Sequence, residues 1–296
     1  MSKGLLDPKV DFVFKNIFGS PNHPEILISF LNATLKAKKK IVNVDIKKTD
    51  IEKQYIEDKY SRLDVKATTS NDEIINIEIQ LKNENNMVKR SLYYLSKMYE
   101  EQLNEKEDYS KLVRTVCINI LNFKYLKTDN FHTGYRFKEI ESNEELTDIM
   151  EVHFIEIPKL QDSSDEKDML VAWTEFLKDP ESEKVRGLEL SIEEIRQAKD
   201  ELIRMSNDST QRELYDMRAN SLRDKMSELN AAERKGIEKG REEGREEGRK
   251  EGRKEGIEEG RKEEKIKIAR NMKLSGLDTN TIAKITNLSE DEIDKL

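Results

Sequence analysis

From Ile74 to Leu81 the chain alternates Ile75, Ile77, Ile79 and Leu81 with Asn76, Glu78 and Gln80. A period of two puts every large aliphatic side chain on one face and every polar one on the other, as in a strand that buries one side. Leu63 to Thr69 alternates too, and the insert Ser70-Asn71-Asp72-Glu73 between the runs carries good turn formers. The spacing predicts an antiparallel hairpin centred near Asn71. In that register Asp64 lies across from Glu78, with Gln80 and Lys66 displaced by two residues along the same face.

A two-stranded hairpin needs partners, and the flanking sequence supplies them. Val10, Val13, Phe14, Ile17 and Phe18 recur at helical spacing and stop at Gly19 and Pro21. Ile26 to Leu35 reads as a second helix, with lysines from Lys36 to Lys40 at the negative end of its dipole. A helical pattern follows from Met87 to Leu103, then strands from Leu112 to Leu121 and from Glu151 to Ile157, ending at Pro158. Interleaved strands and helices predict a mixed α/β core. Cys117, the one cysteine, sits in an apolar run and reads as a buried small hydrophobe.

Beyond Pro158 the strand signals vanish, and segments 172–177, 192–202 and 214–229 read as helices. Trp173 reads as an anchor packing this helical part onto the core, not as a base-stacking platform. Glycine then recurs at 236, 240, 244, 248, 252, 256 and 260, with Arg, Glu and Lys between. Each glycine lowers helix propensity by about 1 kcal/mol relative to alanine. Opposite charges such as Glu246 and Lys250 return only a few tenths of a kcal/mol per pair. Two readings fit this repeat: a helix that lets another approach closely, and a solvated, partly frayed spacer. From Ile266 to Leu296 three short helices are expected, resembling a helix-turn-helix, with Ser289 as N-cap and Glu292 closing a capping box. Its acidic end also suits a docking or dimerisation module. The expected divisions are 1–160, 161–235, 236–265 and 266–296.

The formal net charge of −8 runs against nucleic-acid binding, which draws on Lys and Arg. Local basic clusters such as Lys36, Lys38, Lys39, Lys40, Lys47 and Lys48 can still supply the footprint. No run of about 18 apolar residues could span a bilayer, and the first residues lack a secretory pattern, so no membrane partner and a cytoplasmic location are expected. His23, His132 and His153 stand in no nucleophile motif, and no phosphate-binding glycine loop is present.

The hairpin's polar face is left as the candidate chemistry. Two carboxylates there offer the hard oxygens that magnesium takes, although on pattern alone an Asp and a Glu on one sheet face are ordinarily solvated polar residues. The surrounding blocks are Asp11-Phe12-Val13-Phe14-Lys15-Asn16-Ile17-Phe18-Gly19, Ser61-Arg62-Leu63-Asp64-Val65-Lys66, Ile75-Asn76-Ile77-Glu78-Ile79-Gln80 and Lys89-Arg90-Ser91-Leu92-Tyr93-Tyr94, together with the glycine repeat. With these the chain resembles the Rpn family, recombination-promoting nucleases described as transposases of the PD-(D/E)XK class.

The resemblance covers the whole chain, with 1–160 as its nuclease domain. It implies a restriction-endonuclease-like α/β core, a mixed sheet flanked by helices, followed by an all-helical C-terminal extension. It further implies metal-dependent DNA cleavage, with Mg2+ as cofactor and Mn2+ or Ca2+ as substitutes, and a role in recombination, mobile elements or phage defence. By position Asp64 and Glu78 match metal ligands, and Asp11 matches a further acidic member, for which an i,i+4 pair with Lys15 is the competing reading. Gln80 stands where the superfamily places lysine, and Lys66 is placed to compensate. Arg90 and Tyr94, one helical turn apart, are expected to clamp a phosphate, or Arg90 simply to balance charge. A magnesium-dependent deoxyribonuclease acting on DNA, homo-oligomeric through its tail, is the resulting expectation. The alternatives are a non-catalytic nucleic-acid-binding protein retaining the fold, and a self-associating protein, which explains the tail only.

Overall fold

Helix α1 (Asp11–Phe18) opens with an acidic residue in its first turn and ends at Gly19, whose N–H donates to the Lys15 carbonyl at 2.9 Å. A side chain at Gly19 would place its Cβ 2.7 Å from that carbonyl and 3.3 Å from Val65, so glycine is required there. Helix α2 (Pro24–Leu35) starts on a proline and ends at Lys36, which adopts the left-handed conformation. The structure is a computed structural model and describes residues 4–36, 39–47, 65–165 and 167–296.

The predicted hairpin is present. Strand β1 (Val44–Lys47) pairs antiparallel with β2 (Val65–Thr69), which pairs antiparallel with β3 (Ile74–Gln80). Val65 faces Ile77, Lys66 faces Asn76 and Ala67 faces Ile75, a register centred on Asn71. The turn is closed by the Thr69 N–H donating to the Glu73 carbonyl at 2.9 Å. Helix α3 (Met87–Glu100) then carries the chain to β4 (Thr115–Leu121), parallel to β3. Strands β5 (His132–Lys138) and β6 (Glu145–Glu156) form a second antiparallel pair, with β6 parallel to β4. Among the described residues this makes one mixed sheet of order β1-β2-β3-β4-β6-β5. β4 is buried along its whole length, as a central parallel strand covered on both faces must be.

The two faces differ in character. Ile75, Ile77, Ile79, Val116, Ile118 and Ile120 share one hydrophobic core with α1, α2 and three later helices, α4 (Met169–Lys178), α5 (Glu183–Glu189) and α6 (Glu193–Asn207). Trp173 anchors this layer: it is fully buried, packs edge-on against Phe18 at 5.3 Å and donates to Ser29 Oγ at 3.1 Å. The opposite face is covered by α3, whose Met87 and Leu95 pack with Cys117, Leu121, Val152 and Phe154. A mixed sheet flanked by helices, followed by helices alone, is the expected fold class.

Charge is also buried at the β4–β6 seam. Arg114 is clasped by Glu73 and Glu151, and Arg136 Nε donates to Glu151 at 3.0 Å. His153 Nε2 meets Glu151 Oε1 at 2.7 Å, and its Nδ1 meets His132 Nε2 at 2.9 Å. Burial works against ionised Glu151, but His153 and Arg114 outweigh it and hold its carboxyl down at about 2. Burial first, and then His153, depress His132 to about 4.

The chain divides into two compact units, residues 1–223 and 224–296. Helix α7 (Ser209–Leu274) contributes to both. Its first turns belong to the first unit, where Arg212 donates to the Gly4 carbonyl at 2.8 Å and Tyr215 packs on the core. In the second unit the repeat is helical throughout, and a Cβ added at any of its seven glycines would meet nothing within 4 Å. Helices α8 (Thr279–Thr286) and α9 (Glu290–Asp294) close a small core of Ala269, Ile282, Leu288 and Ile293. The Ser289 and Glu292 capping box predicted from sequence is formed.

Candidate active site

On the α3-covered face, β3 presents Asn76, Glu78 and Gln80, and the parallel register sets Cys117, Asn119 and Leu121 of β4 beside them. Glu78 and Asn119 are therefore neighbours, and both are fully buried. The face can hold them because α3 lowers polar side chains onto it among its apolar ones. Arg90 Nε donates to Glu78 Oε2 at 3.0 Å, and Ser91 Oγ donates to Asn119 Oδ1 at 2.9 Å. The Arg90 guanidinium lies 5.1 Å from the centre of the Tyr94 ring, one helical turn further on.

Burial raises the Glu78 carboxyl above its usual range, against the attraction and hydrogen bond of Arg90 and the weaker hydrogen bond from Asn76. Arg90 likewise loses solvent, but the Glu78 carboxylate more than offsets this and strengthens its hold on the proton. Among the described residues one guanidinium thus does not fully compensate the desolvated carboxylate.

The candidates named from sequence are distributed as follows. Glu78 lies at the centre of this face. Asp64 lies outside the described residues, as do Lys38 and Lys48 of the basic cluster. Lys66 faces Asn76, so Glu78 separates it from Gln80 along the face, and its ammonium lies 3.8 Å from Glu101. Gln80 ends β3 and is half-buried. Asp11 belongs to α1, in the layer on the other face of the sheet, and its carboxylate takes a hydrogen bond from Arg218 at 2.9 Å. Tyr94 is buried, so its ring serves as the wall behind Arg90. Among the described residues no three His, Cys, Asp or Glu side chains converge to hold a metal.

Asn76, Asn119 and Ser91 are site members that sequence reasoning missed. Each left a signal: Asn76 shares the alternation with Glu78, Asn119 interrupts the apolar run of β4, and Ser91 adjoins Arg90. Away from this cluster, a cleft of about 800 Å³ lies between α2 and the start of α4, with Lys36, Lys40, Lys167, Glu25, Asp168 and Glu194 in its wall. Its mixed charges select no one ligand, and none of the Glu78 cluster lines it.

The site thus sits on a parallel pair of central strands, with the buried carboxylate on β3 and α3 covering it. The PD-(D/E)XK nuclease family transposase model matches residues 8–232, three quarters of the chain. The chain belongs to this family. Residues 262–296 match the C-terminal HTH domain of the Rpn/YhgA-like nuclease family, so this PD-(D/E)XK protein is of the Rpn type. No curated protein and no solved structure matches the chain. Among the described residues no helix is long and apolar enough to cross a membrane.

PD-(D/E)XK enzymes imply a divalent metal, and the residues present fit one. Glu78 is a hard oxygen donor whose charge Arg90 compensates only in part. Beside it Asn76 Oδ1 is a buried acceptor without a hydrogen-bond partner among the described residues. Both are features that a small cation would relieve.

Proposed function

We propose that this protein is a magnesium-dependent deoxyribonuclease that hydrolyses DNA phosphodiester bonds in the cytoplasm, in the service of recombination, mobile elements or phage defence. The observation that carries the proposal is Glu78, a fully buried carboxylate whose ionic partner among the described residues is Arg90, at the β3 position that the sequence resemblance matches to a metal ligand. Asp64, which lies outside the described residues, joins it from the sequence alternation and the family resemblance alone.

Asp64 and Glu78 are the proposed metal-holding residues. A bound magnesium ion supplies charge to a phosphoryl oxygen and lowers the pKa of a bound water. The protein's own groups do the positioning. Arg90 fixes the Glu78 carboxylate through one oxygen, and Tyr94 props the guanidinium, so these two orient a ligand and do not grip the phosphate. Gln80, neutral and both donor and acceptor, orients the attacking water without adding charge. Lys66, on the turn side of Glu78, supplies positive potential toward the scissile phosphate. Asp11 is left out of the site, because its carboxylate is engaged with Arg218.

The test is plasmid cleavage by the wild type in Mg2+, by the wild type in EDTA, and by Asp64→Ala in Mg2+. Cutting in the first case alone is expected. Equal cutting by Asp64→Ala would remove the metal-site assignment, and a wild type that binds DNA without cutting it would establish the non-catalytic alternative.

We assign DNA contact to the nuclease unit and, because residues 262–296 match an HTH domain, to the tail as well, through its parts outside α9. Four of the five residues of α9 are acidic, and phosphate repels such a helix from a groove. The open row of glycines, with Ile237 and Ile257 exposed among them, suits association between copies of α7. Deleting residues 236–296 should lower the oligomeric mass seen by light scattering to that of a monomer, and an unchanged subunit count would exclude the tail as the oligomerising element.

A further inference from the structure

Two asparagines flank Glu78, and only one of them is satisfied. Asn119, its partner on β4, uses both ends of its carboxamide: Oδ1 accepts from Ser91 Oγ at 2.9 Å and Nδ2 donates to the His153 carbonyl at 3.1 Å. Asn76, two residues before Glu78 on the same face, is equally buried. Its Nδ2 lies 3.5 Å from Glu78 Oε1 and 4.0 Å from Cys117 Sγ, while its Oδ1 has no hydrogen-bond partner among the described residues. Reversing the amide gives no relief, because it would set the amide oxygen against the carboxylate.

An amide oxygen buried without a partner costs about 1–3 kcal/mol. Such oxygens are few in folded proteins, and strain, a catalytic role, a water or an ion accounts for them; beside a desolvated carboxylate the ion is the fitting one. The neighbouring groups support that reading. Cys117 is a thiol whose burial pushes its pKa up to about 12, so it brings no charge. The carboxylate alongside is a hard anion in need of positive charge, and the oxygen beside it is neutral, hard and unclaimed.

We propose that Asn76 is a ligand of the divalent cation held at Glu78, its Oδ1 adding a neutral oxygen next to the carboxylate. This rests on the metal-site reading above and adds to it a residue outside the acidic pair. The physical advantage lies in the metal-free state: an amide oxygen coordinates a cation without adding a further buried charge that would stand uncompensated when the site is empty, whereas a carboxylate there would bind the cation no less tightly but cost stability without it.

The experiment is a calorimetric titration of the full chain with Mn2+, without DNA, on the wild type, Glu78→Ala, Asn76→Ala and Asn76→Asp. Asn76→Ala is expected to weaken Mn2+ binding by about 10-fold or more, and Asn76→Asp, which keeps the oxygen, to bind at least as tightly as the wild type. Metal-free Asn76→Ala loses the Nδ2 hydrogen bond to Glu78 and buried volume whatever its role, so the ligand is read from the metal: Mn2+ should raise its melting temperature less than it raises that of the wild type. If Glu78→Ala abolishes Mn2+ binding while Asn76→Ala binds like the wild type, Asn76 is no ligand and the metal site stands without it. If the wild type shows no Mn2+ binding that depends on Glu78, both readings fail. Should Asn76→Ala not fold, Asn76→Asp decides: weaker binding than the wild type overturns the assignment.

Discussion

Glu78→Gln is expected to leave a folded protein that cuts DNA about 10³-fold more slowly, the loss typical of removing one preorganised electrostatic group from a site. Glutamine keeps the shape of glutamate and can still accept from Arg90 Nε, so the packing of α3 on β3 is retained. The charge is lost, together with the weak hydrogen bond that Oε1 accepts from Asn76 Nδ2. The stability of the variant should carry a pH signature that separates this from general damage. Burial raises the Glu78 carboxyl in the folded state, so just above the ordinary carboxylate range the folded wild type holds a proton that the unfolded chain has released. Where the folded state binds more protons, stability falls as pH rises. Glutamine lacks this dependence, while the cost of leaving Arg90 without its counter-ion is the same at every pH. The melting temperature of Glu78→Gln relative to the wild type should therefore climb as pH increases from 4.5, even though cleavage is gone. Wild-type cleavage by Glu78→Gln would remove Glu78 from the chemistry. A stability difference that does not change with pH would show that Glu78 is not desolvated as described.

How much of this was legible in the sequence depended on whether a local pattern was set by one dominant force. The β2–β3 hairpin was readable to the residue, because alternation fixes the faces and turn chemistry fixes the register: Lys66 against Asn76 is where the spacing put it. The burial of Trp173 and Cys117 and the Ser289–Glu292 capping box follow from equally local rules. Strands β1 and β5 were not seen. Both are edge strands, and β5 exposes Tyr135 and Phe137 while mixing them with Arg136 and Lys138, so no apolar face announces it. Helix α5 is short and follows a proline, and its two buried residues, Val185 and Leu188, give too little periodicity to register.

The candidate site was half legible for a related reason. Glu78 stood out as a carboxylate in an aliphatic alternation. The satisfaction of Asn119 by Ser91, and the lack of it at Asn76, depend on how α3 lies over the parallel β3–β4 seam, which no sequence spacing encodes. Arg90 and Tyr94 stand together one helical turn apart, as the spacing predicts, and Arg90 meets the Glu78 carboxylate, the contact expected of the charge-balancing alternative that the sequence leaves open beside a phosphate clamp. Helical spacing gives which residues share a face, not what that face meets.

The largest effect on stability is expected from Arg114→Met, a loss of about 3–5 kcal/mol at pH 7, the cost of removing one partner from a buried ion pair. Arg114 lies between two buried carboxylates, Glu73 and Glu151, which bridge the β2–β3 turn to β6. Glu73 also accepts from Thr69 Oγ1 at 3.0 Å, and Glu151 holds His153, so the arginine ties both ends of the sheet's charged seam. Methionine fills the volume but leaves both carboxylates desolvated with less positive charge. Acid acts on the same seam in the wild type. The Glu151 carboxyl is held down at about 2 in the folded state, below its ordinary value of 4.5, so its stabilising contribution is complete above pH 4.5 and is lost as pH falls toward 2. Without Arg114 that carboxyl moves back toward its ordinary value and this acid-dependent loss shrinks. Urea unfolding at pH 7 and pH 3 reads both effects: a wide gap between wild type and Arg114→Met at pH 7 that narrows at pH 3. Adding Glu73→Gln and Glu151→Gln to Arg114→Met should recover most of the loss at pH 7, since no uncompensated carboxylate is left. A deficit that the added glutamines do not reduce, or one of equal size at the two pH values, would mean that Arg114 stabilises the sheet by packing and not by charge.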